Sequence, residues 1–138
     1  EVGTGSGYGA AVLGHLAATV VTVERHRSLA RNAAARLSAL GVSNVEVVEG
    51  DGSLGWPDRA PYDAIVVTAA GPSVPAALRA QLAEGARLIM PVGRRMGEQR
   101  LLRIIRSGDS YDIEDLGGVR FVPLVGAQGV GDEDGGDG

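Results

Sequence analysis

The chain has no cysteine, one tryptophan, one phenylalanine and two histidines among its 138 residues. Missing thiols exclude a disulfide framework and a thiolate zinc site. No apolar run approaches the about 18 residues that a membrane-spanning helix needs, and the start carries neither an initiator Met nor a signal-peptide pattern. A cytoplasmic location and no membrane partner are the expectation, with a chain that begins within an element. Its thirteen basic residues are scattered arginines set against seventeen acidic ones, for a net charge of -4. No basic stripe marks a nucleic-acid partner. With 44% hydrophobic and 22% charged residues, the rest reads as one ordinary globular domain.

Apolar β-branched runs alternate with helical periodicity. "ATVVTVE" (18–24), "VEVVEG" (45–50), "DAIVVTAA" (63–70) and "ARLIMPVG" (86–93) read as strands buried on both faces of a parallel sheet. Helices are predicted over 8–16, 28–40 and 74–82, the second with a stripe of Leu29, Ala33, Leu37 and Leu40 and a C-cap at Gly41. Pro75 falls where a first helical turn tolerates it. "QRLLRIIRSGDSYDIEDL" (99–116) reads as a hairpin turning at 107–110, and "GVRFVPL" (118–124) as one more strand. This is a doubly wound α/β layer architecture with an antiparallel edge. Residues 126–138, mostly Gly, Asp and Glu, read as a disordered tail.

What is abundant is glycine, and "EVGTGSGYG" sets four of them within nine residues. Between the end of a strand at Val2 and a helix from Tyr8, they lie at the carboxyl edge of the sheet, where such folds bind ligands. Two nucleotide-type cofactors fit. The dinucleotide fingerprint fails from Gly3 but is weakly met by Gly5, Gly7 and Ala10. An acid followed by G-x-G-x-G, met by Glu1, Gly3, Gly5 and Gly7, suits S-adenosylmethionine: the acid faces its ammonium and bare main chain admits its methionine end. Glu24, at the end of the second strand, serves ribose hydroxyls under either reading, or is a solvated acid paired with Arg25 or Arg27. Asp51, between Gly50 and Gly52, is placed to accept from an adenine amino group, or is a plain Asp-Gly turn.

Taken in order, "EVGTGSGYGAAVL", "VVTVERH", "VEVVEGDGSLGWPDRAPYDAIVVTAA", "LAEGARLIMPVG" and "VRFVPLVG" resemble the catalytic domain of the protein-L-isoaspartate O-methyltransferase family over residues 1–125. "GDGSLGWP" and "FVPL" separate that family from generic methyltransferases. The resemblance implies a Rossmann-like S-adenosylmethionine-dependent methyltransferase fold, mainly parallel with antiparallel edge strands. It also implies methyl transfer to the free α-carboxylate of isoaspartyl residues in damaged proteins or peptides, which are the expected partners; a monomer is the expectation for the chain itself. Carried over residue by residue, Glu1, Gly3, Gly5 and Gly7 hold the methionine end of the cofactor, Glu24 its ribose, and Asp51 with Gly52 its adenine. Thr68, Ala69 and Ala70 form the floor of the substrate pocket, or a bland strand exit.

A carboxylate is already ionised at pH 7, so no general base is expected. His15 reads as structural, and His26 is open between solvent and a place beside the adenine. Trp56 and Tyr62 are open between lining a substrate groove and packing the loop after Asp51. Two departures stand out. The family's Gly-Gly before the fifth strand is Gly85-Ala86, which touches only a turn. Of the first strand only Glu1 and Val2 remain, and the family's preceding segment, which grips the substrate carboxylate, is absent. The reading is thus an amino-terminally truncated member. Its competitors are a catalytically incomplete cofactor-binding fragment, a small-molecule methyltransferase and an NAD-dependent oxidoreductase.

Overall fold

The computed structural model describes residues 1–94 and 96–131. Its residues group into two units, Glu1–Gly52 and Ser53–Gly138.

In the first unit α1 (Tyr8–Leu16), β1 (Val20–Glu24), α2 (Arg27–Ala39) and β2 (Val45–Glu49) follow in order. β1 and β2 pair in parallel from Val20↔Val45 to Glu24↔Glu49. Gly50 extends the ladder by donating its N–H to the Glu24 carbonyl at 3.0 Å. Val2 contributes a single parallel bridge to Val23. Branched side chains fill this ladder because they pack well on a pleated surface, and Val2, Val20, Val23 and Val48 are buried.

The buried stripe of α2 is Ala30, Ala33 and Leu37, one position round from the expected one: Leu29 and Leu40 are exposed. The reason is close packing. A Cβ on Gly7 would stand 3.3 Å from the Cβ of Ala33, so the helix sets a small residue against the glycine loop. Gly41 closes α2 as expected, at φ +73. Its N–H donates to Ser38 O at 3.0 Å and that of Val42 to Leu37 O at 2.9 Å, the paired bonds of a Schellman cap. α1 buries only Ala10.

In the second unit β3 (Tyr62–Val66), α3 (Ala76–Ala80), β4 (Leu82–Gly93), β5 (Gln99–Ser107) and β6 (Ser110–Val119) form a sheet in the order β3-β4-β5-β6. β3 and β4 are parallel, and the other two pairs antiparallel. Leu78, Leu82, Leu88, Met90 and Ile104 form its buried centre.

The α/β class and the hairpin turn match the sequence reading, with several corrections. As expected, parallel and antiparallel pairs are both present, and among the described residues they fall into a two-stranded and a four-stranded sheet. α3 is five residues, capped by Pro75, because β4 begins at Leu82. That early start is absorbed by an irregularity between the pairs Tyr62↔Leu82 and Ala64↔Arg87, where Gly85 takes φ +72. The expected strand over 118–124 does not form: β6 ends at Val119, and Pro123 makes only an isolated bridge with Ala70, having no N–H for a ladder. Part of the expected tail is among the described residues. Residues 124–130 close a turn in which Gly126 donates to Val130 O at 3.0 Å and Val130 to Leu124 O at 2.8 Å. The Gln128 N–H donates to the buried Ser53 Oγ at 3.0 Å. Residues 132–138 of the expected tail lie outside the described residues.

Candidate functional site

The glycine loop of the first unit runs from the Val2 bridge to Gly7, the N-cap of α1. Gly3, Gly5 and Gly7 have φ of +96, +53 and +92, a region that side chains oppose. Two glycines differ in what surrounds them. A Cβ on Gly7 would press on Ala33, whereas one on Gly5 would meet nothing within 4 Å. The main chain at Gly5 is therefore bare and open.

The Glu24 carboxylate holds this loop. It is buried at the end of β1 and accepts the Gly5 N–H at 2.9 Å and the His26 N–H at 3.0 Å. An acceptor pair is what two converging N–H groups require. Glu24 is thus neither solvated nor reserved wholly for a ligand. A carboxylate has about four lone-pair sites, and among the described residues these two N–H groups take one on each oxygen.

Glu1 closes the other side of the loop. Thr22 donates its hydroxyl to Glu1 Oε1 at 2.7 Å, which makes Thr4 the donor in the 2.7 Å Thr4–Thr22 contact. The second carboxylate oxygen leaves no room at Gly9, where a Cβ would stand 2.6 Å away. Burial pushes the Glu1 carboxyl above its usual value of 4.5, against the lowering hydrogen bond from Thr22.

Asp51 leaves the ladder directly after Gly50 and is half-buried. The glycine beside it serves packing: a Cβ on Gly52 would collide with Val2. All seven residues expected at the cofactor thus lie in the first unit, as does His26, whose side chain is exposed. His15 is exposed in the last turn of α1 and is not a core residue.

The substrate-side residues lie in the second unit. Ala69 and Ala70 are buried and Thr68 is half-buried. Ala70 donates its N–H to Val122 O and accepts that of Leu124, both at 2.7 Å. Of the three, Ala70 lines a pocket of about 390 Å3 shared with Pro72, Gly93 and Pro123. Tyr62 packs the loop, since its hydroxyl donates to the Trp56 carbonyl.

Sequence reasoning missed Thr4, Thr22 and Arg36, whose guanidinium donates to Ser6 O at 3.2 Å. For Thr22 the signal was there, a hydroxyl inside a valine run where a buried polar group needs a partner. Arg36 is 30 residues from Ser6, and nothing local announces it.

Residues 1–129 match the family described as protein-L-isoaspartate(D-aspartate) O-methyltransferase (PCMT). The chain is 60% identical over 130 residues to protein-L-isoaspartate O-methyltransferase 2 of Pelobacter propionicus, covering 94% of this chain and 58% of that protein. It is 56% identical to protein-L-isoaspartate O-methyltransferase 1 of Rhodopseudomonas palustris, covering 94% of this chain and 53% of that protein. The chain thus spans little more than half the length of these relatives. A solved protein-L-isoaspartate O-methyltransferase superposes with a TM-score of 0.87 at 32% identity, over 93% of this chain and 42% of the other. A Plasmodium falciparum protein described as a beta-aspartate methyltransferase (PCMT), in complex with S-adenosyl-L-homocysteine, gives 0.71 at 25%, over 90% of this chain and 63% of the other. The fold is that of the Rossmann-like methyltransferases, and the chain belongs to the protein-L-isoaspartate(D-aspartate) O-methyltransferase family.

Proposed function

We propose that this chain is the S-adenosylmethionine-binding part of an enzyme that methylates the α-carboxylate of L-isoaspartyl residues in damaged proteins and peptides. The observation that carries this reading is the bare main chain at Gly5, beside a carboxylate that retains lone pairs. The residues fit the cofactor's chemistry. Glu1 brings a carboxylate to the loop that would hold the ammonium end, and Gly3, Gly5 and Gly7 admit the methionine portion against backbone. Glu24 has two lone-pair sites left for ribose hydroxyls, and Asp51 with Gly52 serves the adenine.

When bound, S-adenosylmethionine supplies an electrophilic methyl group on a sulfonium sulfur. The protein's own task is alignment and exclusion of water, because the accepting carboxylate is already ionised at pH 7. This accounts for a reading with no general base, in which Thr68, Ala69 and Ala70 shape the substrate side and neither exposed histidine takes part.

Calorimetric titration of this chain with S-adenosylhomocysteine and with NAD, with Asp51→Ala as comparison, tests the cofactor assignment. The expected result is binding of the homocysteine compound alone, weakened about tenfold or more by the substitution, as loss of a buried polar contact implies. Binding of NAD instead, or of neither by a folded chain, overturns it. Methylation of an isoaspartyl peptide but not of its aspartyl isomer tests the activity.

A further inference from the structure

The pocket beside Ala70 has a chemistry of its own. Its walls, among them Pro72, Pro123 and Val130, are apolar, and among the described residues its lining contains no carboxylate. Two lining side chains are strongly polar. Gln99 is buried and bonded at both ends to the backbone, donating to Phe121 O at 3.2 Å and accepting the Phe121 N–H at 2.7 Å. Arg94 is exposed at the rim. Among the described residues no carboxylate pairs with it: Glu98, four positions on, bonds Arg100 at 3.1 Å instead. Arg94 thus presents a guanidinium with five donors above apolar walls, an arrangement complementary to a carboxylate carried on a short aliphatic stem.

We propose that this pocket takes an acidic side chain next to the residue to be methylated, so that Arg94 makes the chain prefer acidic peptides. The aliphatic stem of a glutamate would lie on Pro72, Pro123 and Val130 while its carboxylate meets Arg94. This inference rests on the isoaspartyl-peptide reading above. It adds a specificity residue that acts on the neighbour of the reacting group and takes no part in the methyl transfer.

The test is the affinity of this chain for four labelled peptides, measured by fluorescence anisotropy with S-adenosylhomocysteine present: isoaspartyl or aspartyl at the centre, glutamate or alanine beside it. An exposed ion pair predicts about three- to fivefold tighter binding of the glutamate form of the isoaspartyl peptide. Arg94→Gln removes that ratio, and Arg94→Glu inverts it. Raising the ionic strength to about 1 M, where the Debye length is about 3 Å, also removes it. Calorimetry with S-adenosylhomocysteine shows each variant to be folded and cofactor-competent. If the isoaspartyl peptides bind but glutamate and alanine forms bind equally, or the ratio survives Arg94→Glu, the inference falls and the functional reading stands. If isoaspartyl and aspartyl peptides are not distinguished, or none binds, both fall.

Discussion

The two units hold their loops with opposite chemistry. In Glu1–Gly52 a carboxylate does it: Glu24 takes one N–H on each oxygen, from Gly5 and His26. In Ser53–Gly138 the same work falls to buried carboxamides. Gln81 accepts the Trp56 N–H at 3.0 Å and donates to Leu54 O at 2.9 Å, and Gln99 brackets both backbone groups of Phe121. The difference follows from what each loop leaves unpaired. At the glycine loop two N–H groups, of Gly5 and His26, converge on Glu24, and an acceptor-only carboxylate satisfies both. An irregular loop leaves one donor and one acceptor together, which a neutral amide satisfies without burying charge. The glycine loop is thus held by negative charge, and the loops at Leu54–Trp56 and Phe121 by neutral pairing.

Exchanging the two groups breaks the comparison most sharply. Glu24→Gln sets an amide donor against a backbone donor, so one buried N–H loses its partner along with a charge-assisted bond. Urea unfolding should show a loss of about 3 kcal/mol at unchanged m. A loss below about 1 kcal/mol would mean that the loop does not depend on the carboxylate. The reciprocal Gln81→Glu keeps the bond from Trp56 but faces a carboxylate with the Leu54 carbonyl, at an expected loss of about 2 kcal/mol near neutral pH. Here the sign with pH is informative. Burial and the facing carbonyl raise the introduced carboxyl's pKa above its unfolded value, so the folded state holds the extra proton and the deficit shrinks as pH falls toward that unfolded value. The protonated acid can then donate to Leu54 as the amide did. A deficit that does not change with pH would refute the pairing.

The first of these devices was legible and the second was not. Glu24 ends a valine-rich strand after a glycine loop, so an acid at that strand end was a local inference; it was read for ribose hydroxyls, and its service to the protein's own N–H groups was not foreseen. Gln81 bonds a loop 25 residues before it and Gln99 one 22 residues after it. In sequence each is an ordinary surface-type residue beside a strand. Periodicity found β1, β2, α1 and the β5–β6 hairpin because each is decided by its own pattern. It failed for the 118–124 run, where Pro123 withholds a donor and Gln99 supplies the pairing a strand would have made. It also overlooked the 124–130 turn, which is held by partners such as Ser53, 75 residues from Gln128.

Within the glycine loop the comparison can be made finer, since its residues need to be glycine for different reasons. Gly7 has a φ of +92, and a methyl group on its Cα would stand 3.3 Å from Ala33. Gly7→Ala must therefore strain the backbone and move α2, an expected loss of about 2 kcal/mol in urea unfolding. Gly5 has the gentler φ of +53 and open space, so Gly5→Ala should lower stability by about 1 kcal/mol, the usual penalty for a left-handed residue. Its effect on ligand binding should be the larger of its two effects. The added methyl projects into the space that the proposed cofactor would occupy, so calorimetry should show S-adenosylhomocysteine affinity falling about tenfold or more, since a clash of about 1.4 kcal/mol already does this. If Gly5→Ala leaves that affinity unchanged, the openness at Gly5 is not the cofactor's. The glycine would then be there for its φ alone, and the ligand would have to approach the loop from another side.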